Sequence, residues 1–227
     1  MAEQEGKMMV TEEPVIVLYK GGRLPAWYRL PAAEKQLIEQ QHVDLMLAVA
    51  AARGLRRLSG YRLLTPQGVW ERIWVIAFPD LAGAEAWIAA EMAPPYGAYG
   101  YYDYLLARPL AVPAGLAAPA PVTPMQGDPH RVPPLSVDRS RLTIFTFGRQ
   151  SDGPALAQVG PAGPFEAFHL ITPQAEWDTV WLVEQPTMAL AENWLEAAAQ
   201  ATEIPCSFLL TRPWAPAYFA AWLPPAR

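Results

Sequence analysis

Leu63–Glu91, LLTPQGVWERIWVIAFPDLAGAEAWIAAE, lies without a gap over Leu170–Ala198, LITPQAEWDTVWLVEQPTMALAENWLEAA, at an offset of 107 residues. Twelve of the 29 positions are identical, so the chain carries an internal duplication. The repeated unit can be read element by element. Leu58–Thr65 predicts a strand, Pro66-Gln67-Gly68 a turn, and Trp70–Phe78 a second strand rich in aromatic and β-branched residues. Pro79 ends that strand. Asp80 is placed to cap a helix running to about Met92, in which Leu81, Ala84, Trp87, Ile88 and Glu91 recur at helical spacing. Tyr101–Arg108 closes the unit as a last strand, and Cys206–Arg212 is its counterpart at an offset of 104.

Upstream lie a strand, Pro14–Lys20, and a long helix, Pro31–Arg53, with proline at its first position and Gly54 just past its end. The element order is therefore β-α-β-β-α-β, the split βαβ arrangement. The second copy begins with Leu142–Gly148. The segment after it, Gln150–Gly163, is some 21 residues shorter than in the first copy and holds three Gly and two Pro. The second copy has lost most of its first helix. The expected organisation is a first unit over 14–111, a Pro-rich linker over 112–138, a second unit over 139–216 and an apolar tail over 217–227. Seven of the 25 prolines fall in Val112–Pro134, which is expected to pack across the second sheet where the helix is missing.

Composition narrows the function classes. With 227 residues, 52% hydrophobic and 17% charged, the chain has the makings of a sizeable core. A net charge of −5 with only three lysines speaks against a nucleic-acid partner. The single cysteine, Cys206, excludes an internal disulfide and a Cys-based zinc cluster. MAEQEGKMMVTEEP has no basic-then-apolar targeting pattern, and the longest apolar run, Leu45–Ala52, is far too short to cross a bilayer. A cytoplasmic protein without a membrane partner is expected.

Two βαββαβ units in one chain resemble the dimeric α/β-barrel superfamily, in which two ferredoxin-like units pack their sheets into a barrel. The run Gly54-Leu-Arg-Arg-Leu-Ser-Gly-Tyr61 is similar to the helix-to-strand junction of its EthD-type members. The resemblance implies an α+β fold: tandem ferredoxin-like units forming an intramolecular barrel around a cavity. It implies several activities among relatives, including cofactor-independent monooxygenases, isomerases and chlorite-dismutase-like haem proteins, and fold alone does not choose between them. Haem-degrading relatives use an Asn–Trp–His triad with the histidine on the second helix. Here Asn193 lies on the second helix of the second copy, and neither second helix carries a histidine.

Candidate site residues follow from strand alternation and from asymmetry between the copies. Trp70, Arg72, Trp74, Ile76 and Phe78 share one face of their strand and are read as a cavity wall. Glu71, Ile73, Val75 and Ala77 share the other, read as the face beneath a helix. Trp74 and Trp181 are a repeat pair, whereas Arg72 is matched by Thr179. Tyr96–Tyr104 holds five of the nine tyrosines, and the second copy has none at the matching place. Tyr99, Tyr102 and Tyr104, with Trp74 and Trp181, are therefore candidate ligand-binding residues. His169, Tyr61 and Arg72 are candidate catalytic residues if the three converge. His42 reads as a partly buried structural histidine and His130 as a linker residue. No histidines have metal-ligand spacing, so no metal and no cofactor is expected. The leading reading is a small, largely apolar molecule bound in the barrel, with cofactor-independent monooxygenase or isomerase chemistry. The alternatives are a non-catalytic scaffold that self-associates as a homodimer, and a haem protein.

Overall fold

The computed structural model describes residues 13–112, 116, 141–174, 176–202 and 206–214, without the side chains of Pro66 and Gln67. The first half runs β1 (Val15–Arg23), α1 (Pro25–Arg29), α2 (Ala32–Arg53), β2 (Arg57–Gln67), β3 (Trp70–Phe78), α3 (Leu81–Glu91), a 3₁₀ turn at Tyr96–Tyr99, and β4 (Gly100–Leu110). The second runs β5 (Leu142–Gly148), a 3₁₀ turn at Gln150–Asp152, α4 (Gly153–Gln158), β6 (Phe165–Leu170), β7 (Thr179–Gln185), α5 (Met188–Ala201) and β8 (Ser207–Pro213). All strand pairs are antiparallel and close a barrel in the order β1-β3-β2-β8-β5-β7-β6-β4. Each half thus contributes four neighbouring strands, and the halves join where β2 meets β8 and β4 meets β6. The architecture is α+β.

Local chemistry sets the element ends. Gly54 takes φ 65°, the left-handed conformation that stops α2 without a Cβ clash. Asp80 caps α3 by accepting a hydrogen bond from the Gly83 amide at 2.8 Å, and Thr187 caps α5 through the Leu190 amide at 3.3 Å. The two caps lie 107 residues apart, at aligned positions of the sequence. Pro31 sits just before α2 rather than inside it, and the short α1 was not foreseen. In the second half the six-residue α4 stands where the first half has the 22-residue α2. Val112 and Leu116 pack against the second half's core. The remainder of 113–138 and the tail 217–227 lie outside the described residues.

The core has three layers. Inside the barrel, Ile16, Leu18, Ile73, Val75, Phe145 and Phe168 belong to one buried cluster that also contains Tyr61. Outside the first half's strands, Tyr19, Trp74, Ile76 and Phe78 pack against Met46 of α2 and Trp87 of α3. Outside the second half's strands, Trp181, Phe165 and Ile144 pack against Leu156 of α4 and Trp194 of α5.

This layering reverses the expected face of β3. Ile73, Val75 and Ala77 point into the barrel, and Trp74, Ile76 and Phe78 point at the helices. An eight-stranded barrel has an interior just wide enough to be filled by side chains, and the β3 aliphatics fill it together with Phe145, Phe147 and Phe168. Trp74 and Trp181 are therefore helix-facing core residues and do not line the barrel interior.

An ion pair also reaches the barrel interior. Arg57 Nη1 donates to both Glu166 oxygens, at 2.7 and 2.9 Å, and its Nε to Ser59 Oγ at 3.1 Å. Arg57 is on β2 and Glu166 on β6, so the ion pair ties the two halves together. At the opposite end Lys20 meets Asp103 at 2.6 Å beneath the Trp70 and Phe147 rings.

Candidate functional site

A buried polar cluster lies in the layer between the first half's sheet and its helices. Its residues come from five elements. Tyr19 stands on β1, Arg72 on β3, His42 on α2 and Glu91 in the last turn of α3, and Tyr96 follows in the 3₁₀ turn. All five are buried, and with Trp74 and Trp87 they line a cavity of about 10 Å³. That is room for one water molecule.

Two couplings organise the cluster. His42 Nε2 sits 3.2 Å from Glu91 Oε2, and the imidazole lies flat on the Tyr96 ring with centroids 3.6 Å apart. Arg72 Nη2 donates to the Tyr19 hydroxyl at 3.0 Å. Around them Tyr19, Tyr102 and Tyr104 form a stack with centroids 5.0–6.2 Å apart. Burial pushes all three phenols above their ordinary value of 10, so at neutral pH they are hydrogen-bond donors and not bases. The Tyr104 hydroxyl, His42 Nδ1 and Trp87 Nε1 are buried without a hydrogen-bond partner among the described residues.

Glu91 is placed against two opposing influences. Burial pushes its carboxyl up, and the C-terminal end of a helix is a poor place for an anion. His42, Arg72 and Arg23 outweigh this and hold it below 4.5. A carboxyl with a depressed value contributes stability above its unfolded value, and that contribution is lost as pH falls through the folded value. Wild type is therefore expected to lose stability below about pH 4.5 more steeply than Glu91→Gln, as read from urea unfolding at stepped pH. Parallel profiles for the two proteins would show that Glu91 carries no such charge.

The sequence candidates do not converge in one place. Tyr61 lies inside the barrel, Arg72 in the first half's outer layer, and His169 on the outer face of β6, opposite Thr179 and Arg108. Tyr102 and Tyr104 flank the buried cluster rather than a barrel mouth, and Tyr99 packs against Trp27. Sequence reasoning missed Tyr19, Glu91 and Tyr96, and gave His42 a structural role only. The signal that marks them is a change of polarity between copies. Arg72 is matched by Thr179 and Glu91 by Ala198, whereas Trp74, Trp87 and their counterparts Trp181 and Trp194 are unchanged.

The chain matches no protein-family model and no curated protein. It does match solved structures. An arginine-to-alanine mutant of chlorite dismutase from Candidatus Nitrospira defluvii superposes with a TM-score of 0.63 at 14% identity, over 93% of this chain and 95% of that one. The same enzyme in complex with imidazole gives 0.59 at 13% identity, over 91% and 93%. An anthrone oxidase-like protein gives 0.52 at 12% identity, over 90% and 92%. At such identities the likeness establishes the barrel fold alone.

The haem alternative can be tested on the residues themselves. The His42 Nε2 is engaged by Glu91 and its ring face by Tyr96. In the second half the corresponding layer is filled by Phe165, Leu156, Trp181 and Trp194. His42 is therefore not free to ligate a haem iron, and no group of three or more metal-ligating side chains occurs among the described residues. His130 lies outside the described residues. No helix among the described residues is long and apolar enough to cross a membrane.

Proposed function

We propose that the chain is a tandem of ferredoxin-like units that binds a small molecule between the first unit's sheet and its helices and moves a proton on it. The observation that carries this reading is the polarity difference between two copies of one frame. Both keep the tryptophans that pack the layer, yet only the first inserts Tyr19, Arg72, His42 and Glu91. Burying polar and charged groups costs free energy that an apolar core would avoid, so their presence in one copy points to a use.

The roles follow from the contacts. Glu91 holds Nε2 of His42, leaving Nδ1 as the atom that takes a proton from an acidic C–H or O–H. Arg72 and the protonated phenols of Tyr19 and Tyr104 supply positive charge and donors for the oxyanion left behind. Return of the proton to another atom completes an isomerisation with no further reactant. The layer closes down to one water's room in this structure, so a ligand enters as α2 and α3 part from the sheet.

A suitable probe is anthrone, whose C10–H is acidified by the ring system; the likeness to an anthrone oxidase-like protein makes it a reasonable choice. Under argon in D₂O the wild type is expected to speed C10–H exchange above the buffer rate, and His42→Gln to abolish that acceleration. Equal exchange with and without protein would overturn the reading. A second reading, a non-catalytic scaffold, is favoured by the filled barrel interior, where Ile73, Val75, Phe145 and Phe168 are all at most 4% exposed.

A further inference from the structure

A second concavity, separate from the buried cluster, opens to the surface at the end of the barrel that holds Lys20 and Asp103. Its volume is about 380 Å³, within the range of small-molecule sites. Arg23 at the end of β1, Tyr28 of α1, Arg62 of β2, Trp70 and Glu71 at the start of β3, and Tyr101 of β4 line it. We propose that this cleft binds a small aromatic carboxylate, its ring against Trp70 and Tyr101 and its anionic group on Arg62.

Charge placement is the first support. Arg62 lies directly opposite Arg72 on β3 and Arg212 on β8, three arginines side by side across neighbouring strands. Like charges in such positions repel. Arg72 has the Tyr19 hydroxyl at 3.0 Å and Glu71 at 4.0 Å, whereas Arg62 is exposed and makes no hydrogen bond or ion pair with a described residue. An anion in the cleft relieves that repulsion. The carboxylate already present is occupied: Glu71 accepts a hydrogen bond from the Tyr28 hydroxyl.

Comparison of the copies is the second support. Gly21 pairs with Arg72 as Gly148 pairs with Thr179, which sets Arg23 over Gln150 and Arg62 over His169. Trp70 and Glu71 have Trp177 and Asp178 as counterparts. Both cleft guanidiniums are thus peculiar to the first copy, while its ring and carboxylate belong to the common frame. The walls are also fixed. Arg23 lies over the Trp27 and Tyr96 rings at 4.3 and 3.9 Å. A Cβ on Gly22 would meet the Val69 carbonyl oxygen at 1.7 Å, so the β2–β3 turn rests on β1 with no space between.

This site does not rest on the acid–base reading of His42 and Glu91. The test is isothermal titration of the full chain with 2-naphthoate and with its uncharged analogue 2-naphthamide. Saturable binding of one naphthoate is expected, weakened at least tenfold by Arg62→Gln and unchanged by Glu196→Gln on the exposed side of α5, with the amide bound at least tenfold more weakly than the acid. Arg62 is exposed, so Arg62→Gln should leave the melting temperature near that of wild type, which is measured alongside. Absence of saturable binding overturns the proposal, as does equal affinity for acid and amide, or an affinity that Arg62→Gln leaves unchanged.

Discussion

Glu166→Leu is expected to cost the protein about 3–5 kcal/mol of stability, because it strands the Arg57 guanidinium inside the barrel. The two side chains are each 14% exposed and meet through two hydrogen bonds from a single nitrogen. Burial favours the neutral form of Arg57, and Glu166 and Tyr61 more than restore the charged one. Removing the carboxylate leaves the desolvation cost without its compensation. For a chain of this length the loss corresponds to a fall in Tm of roughly 10 °C. The double change Arg57→Met with Glu166→Leu should recover most of it, since an apolar pair of similar volume needs no partner. Calorimetry of both variants checks this, and a double variant no more stable than the single one would show that the pair is not compensated in the way described.

Trp181→Ala is expected to have an effect of the same size, about 3–5 kcal/mol. Trp181 is 1% exposed and sits among Phe165, Ile144 and Trp194 beneath α5. Truncating it removes a large ring from a packed layer and leaves a cavity that its neighbours fill only partly. Had Trp181 lined a ligand cavity in the barrel, the same change would cost little stability and would alter binding instead. Urea unfolding separates these outcomes, and a loss under about 1 kcal/mol would contradict the layer assignment.

The legible and illegible parts of the fold divide on physical grounds. The element order and the short helix of the second half could be read because caps, turns and periodicity are local signals. Asp80, Gly54 and Gly68 each act within a few residues of their place in the chain. The face of β3 could not be read. From Ile73 to Phe78 every residue is buried, one set against the barrel interior and the other against the helices. A strand covered on both sides carries no polar alternation to distinguish them. The barrel places Ile73, Val75 and Ala77 inside and Trp74, Ile76 and Phe78 under the helices, against the expected reading.

The candidate site was hidden for a different reason. His42 and Glu91 are 49 residues apart in the chain and meet only because α2 and α3 pack side by side on one sheet. Neither has a local motif. Their trace in the sequence was the mismatch between copies, Glu91 against Ala198 and Arg72 against Thr179, which stands out only once identical positions are set aside as frame. His169 and Tyr61 drew attention as a lone histidine and a tyrosine on predicted strands. The barrel places them in different layers.

The most direct test of where this protein's chemistry resides is the rate of anthrone C10–H exchange in D₂O under argon, measured for wild type, His42→Gln and Tyr61→Phe. With the site between the sheet and α2, Tyr61→Phe exchanges at the wild-type rate and His42→Gln falls to the buffer rate. The reverse pattern, with His42→Gln active and Tyr61→Phe inert, would return the site to the barrel interior.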